Sequence, residues 1–317
     1  MSFPPSGAAA TSADLGPKLL VLAGPTGSGK SDLALATAEA LGAEIVNADS
    51  VACYRGLDIG SAKPSPADQA RVPHRLLDVV DPDQPFSAAD YATLARSAVE
   101  AAARRGRPAL AVGGTGLYIR SLVKGLFAGP GRDDAFRAEL RAQAAAGVDL
   151  HALLRRRDPA AAVRLAPGDR ARIERALEVF HLTGESIVAH QSRHGLAERF
   201  FRVLTVVVDR PVEELDERLR RRTKGMFEAG LVEETAGLLA RGYDRSLPPM
   251  RSVGYLECLR LLAGELTRPE AEAAVQLRTR QLAKRQRTWF RNQSPEALRL
   301  PPEPEPLLKL ARDFWAS

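Results

Sequence analysis

A parallel β-sheet covered by helices on both faces is the fold class that this 317-residue sequence predicts. Three observations carry it. Short apolar runs read as strands buried on two faces, helical spacing lies between them, and a glycine-rich turn links the first run to the first helix.

Lys18–Ala23 (KLLVLA) is the first such run, and Ser28–Leu41 follows with apolar residues at helical spacing (Leu33, Ala34, Leu41). Glu44–Asn47 gives a second short strand. Ser87 and Asp90 form an S-x-x-D capping box, opening a helix that runs to about Arg105 and stops at Gly106. Pro108–Val112 is another buried strand, closed by Gly113-Gly114-Thr115-Gly116. From about Arg132 to His194 the strand pattern is lost. An Ala/Arg-rich stretch with helical spacing takes its place, broken at Gly147, Pro159, Pro167 and Gly184. Val203–Val208 (VLTVVV) restores the buried-strand pattern, and a helix begins at Val212. The expected organisation is a flexible tail at 1–17, an α/β core at 18–131, a helical insertion at 132–201, and the rest of the core at 202–300. This second part of the core is largely helical, and a Pro-rich tail at 301–317 opens on PPEPEP. No internal repeat is present.

Composition narrows the function classes. Hydrophobic residues at 45% and charged residues at 26% exclude global disorder and collagen-like repeats. Cys53 and Cys258 are too far apart in sequence to form a disulfide framework, which fits a reducing cytoplasm. No apolar run reaches the roughly 18 residues of a transmembrane helix, so no membrane partner is expected. Residues 1–17 lack the charged and apolar regions of a signal peptide. The net charge of +6 comes from 38 Arg and 7 Lys against 39 acidic residues. That surplus is a weak pointer to nucleic acid, and its distribution says more.

Gly24, Pro25, Thr26, Gly27, Ser28, Gly29, Lys30 and Ser31 match G-x-x-x-x-G-K-[ST], between a strand and a helix as that motif requires. The glycines let backbone N–H groups converge on phosphate oxygens, and the helix N-terminus adds partial positive charge. Lys30 supplies a point charge, and the Ser31 hydroxyl can ligate Mg²⁺. The core is therefore expected to be of the P-loop NTPase type, binding a polyphosphate that the loop alone does not specify. Asp49 follows the second strand, on the carboxyl edge where open α/β sheets bind ligands. Thr115 lies at the mouth of a helix on the same edge, where it can serve a substrate or merely cap that helix.

Together, GPTGSGKS, NADS, YRGLDIGSAKP, VGGTGLY, RIERALEV with the following TG, and RQRTWFR occur in this order. The set resembles the tRNA dimethylallyltransferase family over roughly residues 18–292. The resemblance implies transfer of a dimethylallyl group from dimethylallyl diphosphate to the exocyclic N6 amine of the adenine 3′ to the anticodon, with release of diphosphate. By that resemblance, Asp49 matches the catalytic aspartate and Thr115 a threonine near the reacting groups. Arg137, the stretch Asp49, Ser50, Val51 and Ala52, and the stretch Ala171, Arg172, Ile173, Glu174 and Arg175 match tRNA contacts. The sequence departs from the family pattern at Ser31 and Ser61, where Thr is common, and Ser252–Tyr255 is a looser form of the family's Gly-Tyr segment. It also lacks the Cys/His zinc module of the eukaryotic relatives.

The chemistry is consistent with such a site. An adenine amine is a poor nucleophile, so the enzyme must place it near the allylic carbon and stabilise the departing diphosphate. A carboxylate such as Asp49 can hold the amine and accept its proton. Arg218 and Arg222, four apart after Asp209, are either further diphosphate ligands or a solvated basic face. Arg278–Arg291 holds six basic residues and no acid, so Lys284, Arg285 and Arg287 are candidate tRNA contacts, with Trp289 and Phe290 as core anchors. Arg155, Arg156, Arg157, Arg170, Arg172 and Arg175 form a second basic cluster, in the insertion. His190 and His194 have no further ligand at metal-site spacing and read as structural or solvated. The expected partners are the tRNA anticodon stem-loop and dimethylallyl diphosphate, with the chain acting as a monomer. A P-loop kinase or NTPase, an adenylate-directed prenyltransferase and a non-catalytic RNA-binding protein are the competing readings.

Overall fold

The computed structural model describes residues 16–126, 129–194 and 200–317. Residues 1–15, most of the expected N-terminal tail, lie outside them. In chain order the elements are β1 (Lys18–Ala23), α1 (Lys30–Leu41), β2 (Glu44–Asn47), α2 (Pro66–Arg71), β3 (His74–Arg75), α3 (Ala88–Arg104), β4 (Ala109–Gly113) and α4 (Gly116–Lys124). Five helices follow without a strand: α5 (Asp134–Ala145), α6 (Leu150–Arg157), α7 (Pro159–Arg164), α8 (Arg170–Thr183) and α9 (Ile187–His194). The chain then forms β5 (Arg202–Val208), α10 (Val212–Glu228), α11 (Leu231–Ala240), α12 (Tyr255–Leu262), α13 (Arg268–Gln293), β6 (Leu298–Leu300) and α14 (Pro304–Ala316).

Two compact units result among the described residues, one of residues 16–123 with 200–317 and one of residues 124–126 with 129–194. In the first, six strands form one sheet in the order β3-β2-β4-β1-β5-β6, and every pairing is parallel. Alternation along β1 explains why the whole run must be apolar. Leu19, Val21 and Ala23 face a core closed by Tyr91, Val99, Ile119 and Leu122 from α3 and α4. Leu20 and Leu22 face the opposite core, closed by Leu33 and Ala38 of α1 and by Leu307 and Ala311 of α14. The capping box at Ser87 is formed as the spacing predicts, with Ser87 Oγ accepting from the Asp90 N–H and the Asp90 carboxylate accepting from the Ser87 N–H.

Two features of the C-terminal region differ from the sequence expectation. Residues 301–317 are not a tail: α14 starts at Pro304 and buries Leu307 and Ala311 against the sheet. Prolines in a first helical turn remove N–H groups that have no intrahelical acceptor, so the Pro-rich stretch starts a helix instead of preventing one. The region also contains a strand, since Leu298–Leu300 extends the sheet beside β5.

The second unit has its own core of Leu140, Leu150, Leu154, Ile173, Ala176 and Leu177. Its electrostatic centre is Glu178, which is fully buried. Burial pushes this carboxyl up, but Arg137 and Arg175 side chains and the Asp133 N–H all donate to it and hold it at about 2. Arg137 bonds Glu178 through two nitrogens at 2.7 Å each.

Candidate active site at the carboxyl edge of the sheet

The phosphate loop begins where β1 ends. Gly29 has φ +92°, a left-handed conformation that costs glycine little and brings the chain into α1 with its first N–H groups open. The Ser28 N–H closes the loop onto the Pro25 carbonyl at 3.2 Å. Lys30 Nζ donates to the same carbonyl at 3.2 Å. Burial, followed by the Arg222 charge, pulls the Lys30 pKa down to about 8, with Asp49 partly opposing the shift.

Arg218 and Arg222 belong to this loop and not to a solvated face. Arg218 Nε donates to the Gly27 carbonyl at 3.0 Å. Arg222 is half-buried, and its guanidinium makes no hydrogen bond or ion pair among the described residues. Burial pulls its pKa below the ordinary guanidinium value, with Asp49 opposing; guanidinium groups nonetheless remain protonated in proteins. Arg210, which sequence reasoning missed, donates through Nε to the Ser28 carbonyl at 3.4 Å. Lys30, Arg218 and Arg222 all line one cavity of about 1070 Å³, together with Ser31, Asp49, Ile59, Ala62 and Met226. Three cations converging beside a single loop repel one another, as the downward pull of Arg222 on Lys30 and of Arg218 on Arg222 shows, and a diphosphate supplies the anion that would offset this.

Asp49 faces the same cavity from the end of β2. Asn47 shapes its turn: the Asn47 side-chain oxygen accepts from the Asp49 N–H at 3.0 Å, and its Nδ2 donates to the Asp49 carbonyl at 3.0 Å. One carboxylate oxygen of Asp49 accepts from the Val51 N–H at 2.9 Å. The other takes no hydrogen bond among the described residues. Thr115 acts on this turn and not on its own helix: its Oγ1 accepts from the Ser50 N–H at 3.0 Å and donates to Ser50 Oγ at 3.3 Å. The hydroxyl thus fixes the peptide next to Asp49.

Helix α13 closes the floor. The Thr26 N–H donates to Gln286 Oε1 at 2.8 Å, and Gln286 Nε2 donates to the Gly114 carbonyl at 3.0 Å, so one amide joins the phosphate loop to the turn carrying Thr115. A Cβ on Gly116 would lie 2.0 Å from Trp289 Nε1, so only glycine lets α13 approach here. Phe290 is buried in the sheet core, and both aromatics act as anchors. Gln286 was legible only as part of RQRTWFR, with nothing in its own spacing to single it out.

The expected tRNA contacts divide by burial. Lys284 and Arg285 are exposed on α13 and have no acidic partner among the described residues, whereas Arg287 lies 3.9 Å from Asp209. In the second unit, Arg155, Arg156 and Arg157 are exposed and likewise without an acidic partner among the described residues. The Ile173 side chain is buried in the core of the second unit, whereas Ala52, nearly buried, lines the cavity that also contains Asp49. Arg137 donates through two nitrogens to Glu178, and Arg175 donates to Glu178 and to the Gly131 and Pro130 carbonyls. Ala171 and Arg172 are exposed, with Arg172 paired to Asp169, and Glu174 is bonded to Arg170. Val51 packs against the C-terminal helical core. His190 Nε2 lies 3.2 Å from Thr183 Oγ1, and no cluster of three or more metal-ligating side chains occurs among the described residues. No described helix is long and apolar enough to cross a membrane.

Residues 52–293 match the family model described as IPP transferase. Curated relatives carry the name tRNA dimethylallyltransferase. That of Geobacter metallireducens is 50% identical over 279 residues, covering 87% of this chain and 90% of the relative. That of Geobacter sulfurreducens is 48% identical over 276 residues, covering 86% and 89%. Among solved structures, the tRNA isopentenylpyrophosphate transferase of Bacillus halodurans is 33% identical with a TM-score of 0.69, covering 94% of this chain and 95% of that one. A eukaryotic dimethylallyltransferase acting on tRNA is 26% identical with a TM-score of 0.73, covering 86% and 70%.

Proposed function

The chain belongs to the IPP transferase family, that of the tRNA dimethylallyltransferases, and from that premise we propose that dimethylallyl diphosphate is its donor and the N6 amine of the adenine 3′ to the anticodon its acceptor. One observation carries this reading: a single cavity holds both the cation cluster for a diphosphate and a carboxylate with a free oxygen. The enzyme is taken to act as a monomer in the cytoplasm, where its buried free thiols Cys53 and Cys258 remain reduced.

In this mechanism the diphosphate lies on the phosphate-loop N–H groups, Lys30, Arg218 and Arg222. The adenine leaves its stack in the anticodon loop to reach the sheet edge. Its amine nitrogen forms the bond to C1 of the allyl group as the C1–O bond breaks. The electron pair of that bond departs on diphosphate, where the cations stabilise it, and the amine proton passes to the free oxygen of Asp49. Thr115 keeps the Asp49 turn in place through Ser50, and Gln286 keeps that edge in register with the phosphate loop.

Ser31 is the residue that would hold Mg²⁺. Its hydroxyl lines the cavity beside Lys30 and makes no hydrogen bond among the described residues. With no acidic ligand cluster among the described residues, this donor set fits a cation that keeps waters and binds mainly through substrate phosphates. When bound, Mg²⁺ would neutralise charge developing on the leaving diphosphate.

Incubation with labelled dimethylallyl diphosphate tests the function. Label should enter unmodified tRNA and not AMP; incorporation into AMP alone would establish an adenylate-directed enzyme instead. On the RNA side, replacing Lys284 and Arg285 together by alanine should reduce the slope of log affinity against log salt by about 0.7–0.9 for each phosphate that the variant no longer neutralises. Arg287→Ala should change that slope little, because Asp209 already offsets its charge. A salt titration of tRNA binding checks both.

A further inference from the structure

Part of the cavity wall is the backbone segment Asp58–Lys63, within the YRGLDIGSAKP stretch. A single side chain holds the start of it. Glu234 Oε2 accepts from the Ile59 N–H at 2.8 Å and the Asp58 N–H at 3.2 Å, and its Oε1 accepts from the Gly60 N–H at 3.4 Å. Three successive N–H groups converging this way make an anion-binding nest. Here the protein fills the nest with its own carboxylate. Tyr255 completes the clamp: its hydroxyl donates to Glu234 Oε1 at 2.6 Å and accepts from the Gly60 N–H at 3.1 Å. Tyr255 is fully buried, and its phenol pKa is pushed up by burial and by the Glu234 charge, so it remains a donor. A Cβ on Gly60 would stand 2.4 Å from the Tyr255 ring, leaving no room for slippage at that point.

The far end of the segment is anchored as firmly. Lys63 Nζ, nearly buried, donates to the Tyr54 carbonyl at 2.7 Å, to Asp58 Oδ1 at 2.6 Å and to Asp78 Oδ1 at 2.5 Å. All three of its donors are used. Between the two anchors Ala62 has φ +51°, a left-handed conformation that alanine holds only when its surroundings impose it. Asp58, Ile59, Ser61, Ala62 and Lys63 line the cavity that also contains Lys30, Arg222 and Met226.

We propose that Glu234 is a positioning residue for prenyl transfer: by taking the N–H groups of residues 58–60 it fixes the wall that shapes the allylic diphosphate site. The proposal rests on the prenyltransferase reading above. Glu234 sits on α11, behind the wall, and acts on substrate only through the backbone it holds.

The test is steady-state kinetics with tRNA saturating and dimethylallyl diphosphate varied, beside a tRNA-binding titration and a melting curve. Glu234→Ala should raise KM for the diphosphate at least tenfold while tRNA affinity stays within threefold and the melting temperature falls only slightly. Glu234→Gln, which keeps one acceptor oxygen, should recover much of that loss. Tyr255→Phe, which removes one of the clamp's donors, should shift the same parameter by about threefold. Kinetics of Glu234→Ala within twofold of wild type would overturn the assignment. So would a uniform loss of diphosphate affinity, tRNA affinity and stability in both Glu234 variants, which marks a residue that only supports the fold. A wild-type chain that transfers no prenyl group to tRNA would instead refute the functional reading, and this role with it.

Discussion

Asp49→Asn should slow the single-turnover rate of prenyl transfer by a hundredfold or more with both substrates saturating. The size follows from the role: a group that accepts a proton in the transition state commonly contributes two to four orders of magnitude, roughly. The substitution preserves the turn, because an asparagine oxygen can still accept from the Val51 N–H while Asn47 and Thr115 hold the flanking peptides. It removes the negative charge and the basicity of the free oxygen. Affinity for tRNA should therefore change less than about tenfold, since a transition-state interaction is lost and ground-state binding is mostly kept. A near-normal single-turnover rate would leave Asp49 as a turn residue.

Lys30→Ala should cost roughly ten- to a hundredfold in kcat/KM for the allylic diphosphate, the equivalent of about 1.5–3 kcal/mol for a hydrogen bond to a charged group. Binding of tRNA should be almost unaffected. The neighbouring cations limit the loss, because Arg218 and Arg222 still face the diphosphate. A pH dependence follows from the same site. Lys30 is pulled down to about 8 in the empty site, so it is charged below that pH and increasingly neutral above it. A bound diphosphate favours the charged form. Above pH 8 binding must therefore take up a proton, and affinity should weaken by up to about tenfold per pH unit. Lys30→Arg, whose guanidinium stays charged, should lack this extra fall. Calorimetric titration of diphosphate into both proteins at several pH values measures the difference directly.

The parts of the molecule legible in the sequence are those whose information is local. β1 and β2 announce themselves because both faces are buried, and the phosphate loop because its backbone requirements restrict several adjacent residues. β3 and β6 do not, since His74–Arg75 and Leu298–Leu300 carry little strand character and pair only because β2 and β5 offer free edges. The C-terminal helix was obscured by Pro304 and Pro306, although Leu307, Leu310 and Ala311 have helical spacing. In the site, Asp49 follows its strand visibly. Gln286 and Arg222 reach the phosphate loop from 260 and about 200 residues further along the chain, and only the folded core brings them there. Arginine is the least legible type. Arg137 and Arg285 look alike in sequence, yet one is bound to a buried glutamate 41 residues away and the other is exposed.

In the proposed mechanism one cavity joins a diphosphate site to a carboxylate that receives the amine proton, and so directs an allyl group onto a tRNA adenine. The most direct measurement is mass spectrometry of nucleosides from tRNA after reaction with the purified chain, with released diphosphate quantified in the same sample. The expected result is one dimethylallyl group on N6 of the adenosine 3′ to the anticodon and one diphosphate released per group attached. Modification at another atom or nucleotide, or diphosphate release without a modified adenosine, would contradict it.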